Sequence, residues 1–199
     1  GTAGGDDFTR HFTVSSTAPT LLVSSYSSQL LQYDGATGAF ARVFAPYNPL
    51  RNPNGITFGP DGDVFVSNMD SDNVLRYDGD TSAFEGVFAS GGGLTGPFGL
   101  AFGTDGNFYV ADFDHHNVLR FDGATGTFTD QFVASGSGGM VYAAGLAFGA
   151  DDNLYVASYA TDQVLRFDGA TGAIMDVFAS GNGLDGPMGV AFGPDGYLY

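Results

Sequence analysis

The chain contains no cysteine, no tryptophan and no lysine, and Glu85 is its only glutamate. Without cysteine there is neither a disulfide framework nor a thiolate metal site, so side-chain packing has to carry the stability and the redox compartment stays open. No run of 18 apolar residues occurs, which argues against a membrane-spanning helix. Gly-x-Ser-x-Gly, His-Glu-x-x-His and phosphate-loop patterns are also missing; Gly136-Ser-Gly-Gly reads as a linker. The chain opens at Gly1 with neither Met nor an apolar signal segment, so residues 1–10 are expected to be a leader preceding the folded part.

What is present is acidic and aromatic. Six arginines face 22 acidic residues, for a formal net charge of -16, and 15% of the chain is Phe or Tyr. A field of that sign repels phosphate backbones and anionic membranes and attracts cations and basic partners, so no nucleic-acid partner is expected. A content of 43% hydrophobic residues is enough for a packed core in 199 residues.

The dominant signal is internal repetition. Gly55-Ile-Thr-Phe-Gly-Pro-Asp-Gly recurs as Gly99-Leu-Ala-Phe-Gly-Thr-Asp-Gly, Gly145-Leu-Ala-Phe-Gly-Ala-Asp-Asp and Gly189-Val-Ala-Phe-Gly-Pro-Asp-Gly, in steps of 44, 46 and 44 residues. Each copy continues with blocks like Asp63-Val-Phe-Val, Asn73-Val-Leu-Arg-Tyr-Asp-Gly and Ala83-Phe-Glu-Gly-Val-Phe. Short blocks rich in Val, Phe, Tyr and Leu, divided by Gly, Asp and Pro, are strand signals. Four per period make a four-stranded meander, and the Asp-Gly pairs suggest type I′ hairpins. A degraded first copy starts near residue 11, because Phe12 to Ser25 aligns without gaps on Gly145 to Ser158.

The expected fold is an all-β propeller of four-stranded antiparallel blades occupying residues 11–199. The blades span about 12–54, 55–98, 99–144 and 145–188, four complete repeats, with a partial fifth at 189–199. The Gly-Leu-Ala-Phe-Gly-x-Asp-Gly starts and the Val-Leu-Arg-Phe-Asp-Gly cores resemble NHL repeats, most of all those of secreted bacterial propellers. That resemblance implies six blades, which would need roughly 260 residues. A further C-terminal part, a tight four-blade closure or completion by a second chain would each account for the difference.

Positions common to all copies are read as structural. Arg76, Arg120 and Arg166 recur with Asp78, Asp122 and Asp168 two residues on, a scaffold pattern. The departures fall in the loops after the second strand and in the interblade linkers, which a meander places on one face. His115 and His116 stand where the other copies have Ser71-Asp72 and Thr161-Asp162. With Asp70, Asp72, Asp112 and Asp114 they form the candidate metal set, for Ca²⁺ through oxygen or a transition metal through imidazole, against the plainer reading of a solvated acidic rim. Tyr47, Asn48, Arg51, Asn68, Phe113, Tyr159 and Asp162 form the candidate partner-binding face for protein or glycan.

No catalytic residue stands out, and two function classes stay open. One is a secreted or surface-displayed non-catalytic module making protein, glycan or cation contacts, with the partial last blade available for self-association. The alternative is a metal-dependent lactonase-like or lyase-like six-bladed enzyme with key residues outside this chain. Resemblance to gluconolactonase-like hydrolases and streptogramin lyases implies a divalent metal over the channel. Its ligands would come from inner strands, which here read Ile56-Thr-Phe, Leu100-Ala-Phe, Leu146-Ala-Phe and Val190-Ala-Phe.

Overall fold

The computed structural model describes residues 20–46 and 49–199. Its strands form four antiparallel sheets, each a simple meander. The first contains β1 (Thr20–Ser25), β2 (Gln29–Asp34) and β3 (Phe40–Ala45). The second contains β4 (Pro53–Phe58), β5 (Val64–Asn68), β6 (Asn73–Tyr77) and β7 (Phe84–Ser90). The third runs through β8 (Pro97–Phe102), β9 (Phe108–Asp112), β10 (Asn117–Phe121) and β11 (Phe128–Val133). The fourth runs through β12 (Ala143–Phe148), β13 (Leu154–Ser158), β14 (Gln163–Phe167) and β15 (Ile174–Ser180). The inner strand expected from residue 12, and Tyr47 and Asn48 of the candidate face, lie outside the described residues. The partial fifth unit is reduced to a hairpin with one bridge, Phe192 to Leu198.

The core is divided into layers between sheets. Between the second and third sheets, Phe65 meets Phe88 and Phe102 edge-on, at centroid distances of 4.6 and 5.2 Å. Tyr109 meets Phe132 and Phe148 in the same way between the third and fourth, at 4.9 Å each. Edge-to-face pairs of this kind add about 0.5–1.5 kcal/mol to their area burial. The recurring Phe of each inner strand is therefore the residue that reaches into the preceding blade. Phe178, in the corresponding place on the fourth sheet, meets Tyr155 but stays 45% exposed.

Backbone approach explains the recurring glycine that opens each inner strand. A β-carbon on Gly55 would lie 2.1 Å from Phe98 O, one on Gly99 2.5 Å from Ala144 O, and one on Gly145 2.7 Å from Gly189 Cα. Successive inner strands thus touch backbone to backbone, and Gly145 N donates to Met188 O at 2.7 Å. They line a channel of about 390 Å³ whose wall includes Thr57, Ala101, Ala147 and Ala191.

The hairpins depart from the expected type I′ form. Gly62 is left-handed (φ 92) whereas Asp61 is not, and Gly62 N donates to Gly59 O at 3.0 Å. This is the three-residue loop with a single left-handed glycine. The aspartate serves otherwise: Asp61 Oδ1 accepts from Asp63 N at 3.2 Å, and Asp105 Oδ1 from Asn107 N at 3.0 Å. At the opposite hairpin of the blade, Asp122 Oδ1 accepts from Thr125 N and Thr125 Oγ1, both at 2.8 Å, which holds its carboxyl below the usual range. The repeated arginines are structural as well. Arg120 pairs with Asp130 and Arg166 with Asp176, while Arg76 meets Asp61, Asp63 and Glu85.

Candidate functional site

The loops after β5, β9 and β13, together with the interblade linkers, share one face. The last residue of each of these strands is polar, buried and spent on the incoming linker. Asn68 Oδ1 accepts from Arg51 N, Asp112 Oδ2 from Thr95 N at 3.2 Å, and Ser158 Oγ from Val141 N at 3.0 Å.

A second tie joins each loop to the linker that follows. Ser28 Oγ accepts from Asn52 N at 3.3 Å, Asp72 Oδ1 from Gly96 N at 3.0 Å, and Asp162 Oδ1 from Gly186 N at 2.9 Å. In the third blade the acceptor is His116 Nδ1, which takes the Tyr142 N–H at 2.9 Å. Accepting there places the imidazole proton on Nε2.

Asp112 is the exceptional member of the first set. Its side chain is 0% exposed, and besides Thr95 it accepts from His115 N at 3.1 Å. His115 Nδ1 lies 3.2 Å from Asp112 Oδ2, 3.1 Å from Gly93 O and 2.9 Å from Thr95 Oγ1. All three are oxygens able to accept, which puts the proton on Nδ1 and leaves Nε2 as the basic nitrogen of a side chain that is 54% exposed. Burial pushes the Asp112 carboxyl above its ordinary range, and the hydrogen bond to Asp112 raises the His115 imidazole above its own.

The choice of Asp is locally unfavourable. In the second blade Asn68 Nδ2 donates to Asn73 Oδ1 at 3.0 Å. In the third blade the corresponding pair is Asp112 and Asn117, and the buried Asn117 Oδ1 has no hydrogen-bond partner. A carboxylate has no proton to give it.

The six residues of the candidate metal set do not converge. Asp72 and His116 bind successive linkers, Asp112 is buried beneath His115, and Asp70 Oδ1 accepts from Asn52 Nδ2 at 3.1 Å. Asp114 Oδ2 would be 2.8 Å from a β-carbon on Gly96, so it packs against that linker. Among the described residues no three His, Asp or Glu side chains are gathered to hold a metal ion. The inner strands offer little more: Phe98, Ala144 and Ala157 form one apolar cluster with Met69, Phe113 and Met188. Among the described residues, then, the donor set does not fit the divalent metal that the resemblance implied.

Of the candidate partner-binding face, Phe113 and Tyr159 do come together, at 6.0 Å between centroids, while Arg51, Asn68 and Asp162 are linker ties. Sequence reasoning passed over Tyr142 and Phe98. Phe98 stacks on Phe113 at 5.5 Å and Phe113 on Tyr142 at 4.7 Å. A cavity of about 600 Å³ opens on the opposite face between Phe58, Asp61, Arg76 and Thr104, where Arg76 is already held by carboxylates.

Four-stranded meanders set side by side around one channel define a β-propeller. The chain belongs to the SMP-30/gluconolactonase/LRE-like region family, whose model matches residues 12–199. A comparison with curated proteins finds no match. Virginiamycin B lyase from Staphylococcus aureus is similar in structure, with a TM-score of 0.73 at 16% identity, over 98% of this chain and 63% of that one. A catalytically inactive histidine-to-alanine variant of that lyase, with quinupristin, gives 0.72 at 16% identity over 99% and 64%. A chain of a nidogen/laminin complex gives 0.73 at 17% identity over 92% and 68%. The chain thus spans under two thirds of the lyase chains. Among the described residues no helix is long and apolar enough to cross a membrane.

Proposed function

We propose that this chain forms the greater part of a lactonase-like or lyase-like propeller enzyme that opens a cyclic ester, with the linker-bearing face turned to substrate. His115 is the proton-transferring group, oriented by Asp112. The observation that carries the reading is the Asp112–His115 pair itself: a fully buried carboxylate accepts from Nδ1, and Nε2 remains basic on an exposed ring. An asparagine would serve the linker tie equally and would satisfy Asn117 Oδ1, so the tie alone does not account for a carboxylate at this position.

A histidine so held can take a proton from water or from a carbon beside the scissile ester, and then return it to the leaving oxygen. The family and the lyase neighbours, one of them inactivated at a histidine, support this class of reaction. The repeated Val-Leu-Arg-Phe-Asp-Gly core supports an NHL-type unit and hence a six-blade ring.

The test is proton release in a pH-stat from an aldonolactone and from a cyclic depsipeptide, with wild type and His115→Ala. Opening of either ester by wild type, with a loss of at least 100-fold in the variant at unchanged melting temperature, is expected. No opening of either class, or full activity in the variant, would defeat the reading.

A further inference from the structure

The residue preceding each inner strand is left-handed in every described copy: Asn52 (φ 50), Gly96 (φ 60), Tyr142 (φ 58) and Gly186 (φ 55). Glycine and asparagine take this region readily, whereas a bulky side chain is strained in it. The tie to the preceding loop does not need the ring, because the N–H groups of Gly96 and Gly186 make it equally well. Tyr142 is therefore held in an unfavourable backbone state for something its ring does, and strain of that kind points to function.

The ring ends a stack of three. Phe98, buried on its inner strand, underlies Phe113 at 25° between planes, and Phe113 underlies Tyr142 at 19°. Tyr159 meets Tyr142 at 66° and 6.5 Å between centroids, so the two rings form a corner. They are 37% and 38% exposed.

Charge names the occupant. Exposed Asp162 closes the loop that begins at Tyr159, and its Oδ1 accepts from Gly186 N at 2.9 Å. Exposed Asp185 precedes Gly186, whose β-carbon position lies 3.0 Å from the Tyr159 ring. Two half-exposed tyrosine rings beside these carboxylates, on a chain of net charge -16, suit a cation with an apolar shell rather than an anion or a neutral hydrocarbon.

We propose that the Tyr142–Tyr159 corner is a binding subsite for an alkylated ammonium group of a small molecule. The assignment does not rest on the proton-transfer reading above: His115 is not part of the corner, and occupancy is read without turnover. The probe is choline, set against 3,3-dimethylbutan-1-ol, which has the same shape and no charge, in titrations followed by the tyrosine ring resonances of the full chain.

Choline is expected to bind at least tenfold more tightly than the alcohol, more weakly as salt is raised, and to shift both rings. Tyr142→Gly, the residue that the linkers at 96 and 186 carry, should reduce choline affinity at least tenfold while melting no lower than wild type. Tyr159→Leu should do the same by a route that leaves the linker untouched. Equal affinities for the two probes, no binding by wild type, or unchanged choline affinity in both variants would each overturn the proposal.

Discussion

His116 Nδ1 accepts the backbone N–H of Tyr142 at 2.9 Å, in the position where Asp72 and Asp162 accept from Gly96 and Gly186. Both members of the tie are changed in the same blade, and the tie survives. The geometry asks only for a side-chain acceptor on a left-handed loop residue: Ser28, Asp72, His116 and Asp162 have φ between 52° and 59°. His116→Asp should therefore keep the melting temperature, whereas His116→Ala should cost about 1 kcal/mol by leaving the Tyr142 N–H without its acceptor. Thermal unfolding of the two variants side by side checks this, and equal melting of both would show that the tie contributes nothing.

The inner-strand glycines give a larger effect. The backbone at Gly99 is not left-handed, so an added methyl is opposed by contact alone: 2.5 Å from Ala144 O, 2.8 Å from Leu146 N and 3.0 Å from Gly145 Cα. All three are main-chain atoms that cannot rotate aside. Gly99→Ala should destabilise by about 3 kcal/mol, in the upper range for overpacking. Gly38→Ala, with nothing within 4 Å but φ at 71°, is the control and should cost only about 1 kcal/mol. Chemical denaturation distinguishes the two.

The fold was legible because the repeat prints it several times over. A period of 44 to 46 residues with four apolar blocks leaves few alternatives to a propeller blade, and each inner-strand Phe recurs because each blade needs the same ring contact. The site was less legible. His115 and His116 were visible as departures, but their adjacency suggested shared ligation, while the chain directs one ring to Asp112 and the other to Tyr142. Asp112 itself passed for one more loop carboxylate, since nothing in the sequence reveals that the last residue of each second strand is buried. Tyr142 had a usable signal: it stands where Gly96 and Gly186 stand. The two-residue-longer linker before it disguises that register until the strands are aligned.

A buried hydroxyl tests the packing between the first two blades. Tyr77 is 1% exposed, its Oη has no hydrogen-bond partner, and burial pushes its pKa up to about 12. The same strand position holds Phe121 and Phe167, both fully buried. Tyr77→Phe should raise stability by about 1 kcal/mol, because it removes a desolvated group that gains nothing in return. A lower melting temperature would mean that the hydroxyl is satisfied by a water.

Asp112→Asn separates what the carboxylate does for the fold from what it does for His115. The amide can accept from Thr95 N as Asn68 accepts from Arg51 N, and its nitrogen can donate to Asn117 Oδ1 as Asn68 donates to Asn73. It also removes a buried charge, so stability near neutral pH should rise by about 1 kcal/mol. The pH dependence gives the sign check. The raised carboxyl of Asp112 means that the folded chain holds that proton to higher pH than the unfolded one, so this group's contribution falls as pH rises through the carboxylate range, and the variant should lose that slope. The raised imidazole of His115 stabilises below its ordinary value of 6.5 and loses that contribution as pH rises through the folded value. In the variant the His115 midpoint, followed by its ring proton resonances, should fall back toward 6.5, and the acid limb of any ester-opening activity should move to lower pH with it while the maximal rate drops. A midpoint that does not move would break the link between the two residues. Unchanged stability would mean instead that the Asn117 amide turns its nitrogen toward the native carboxylate.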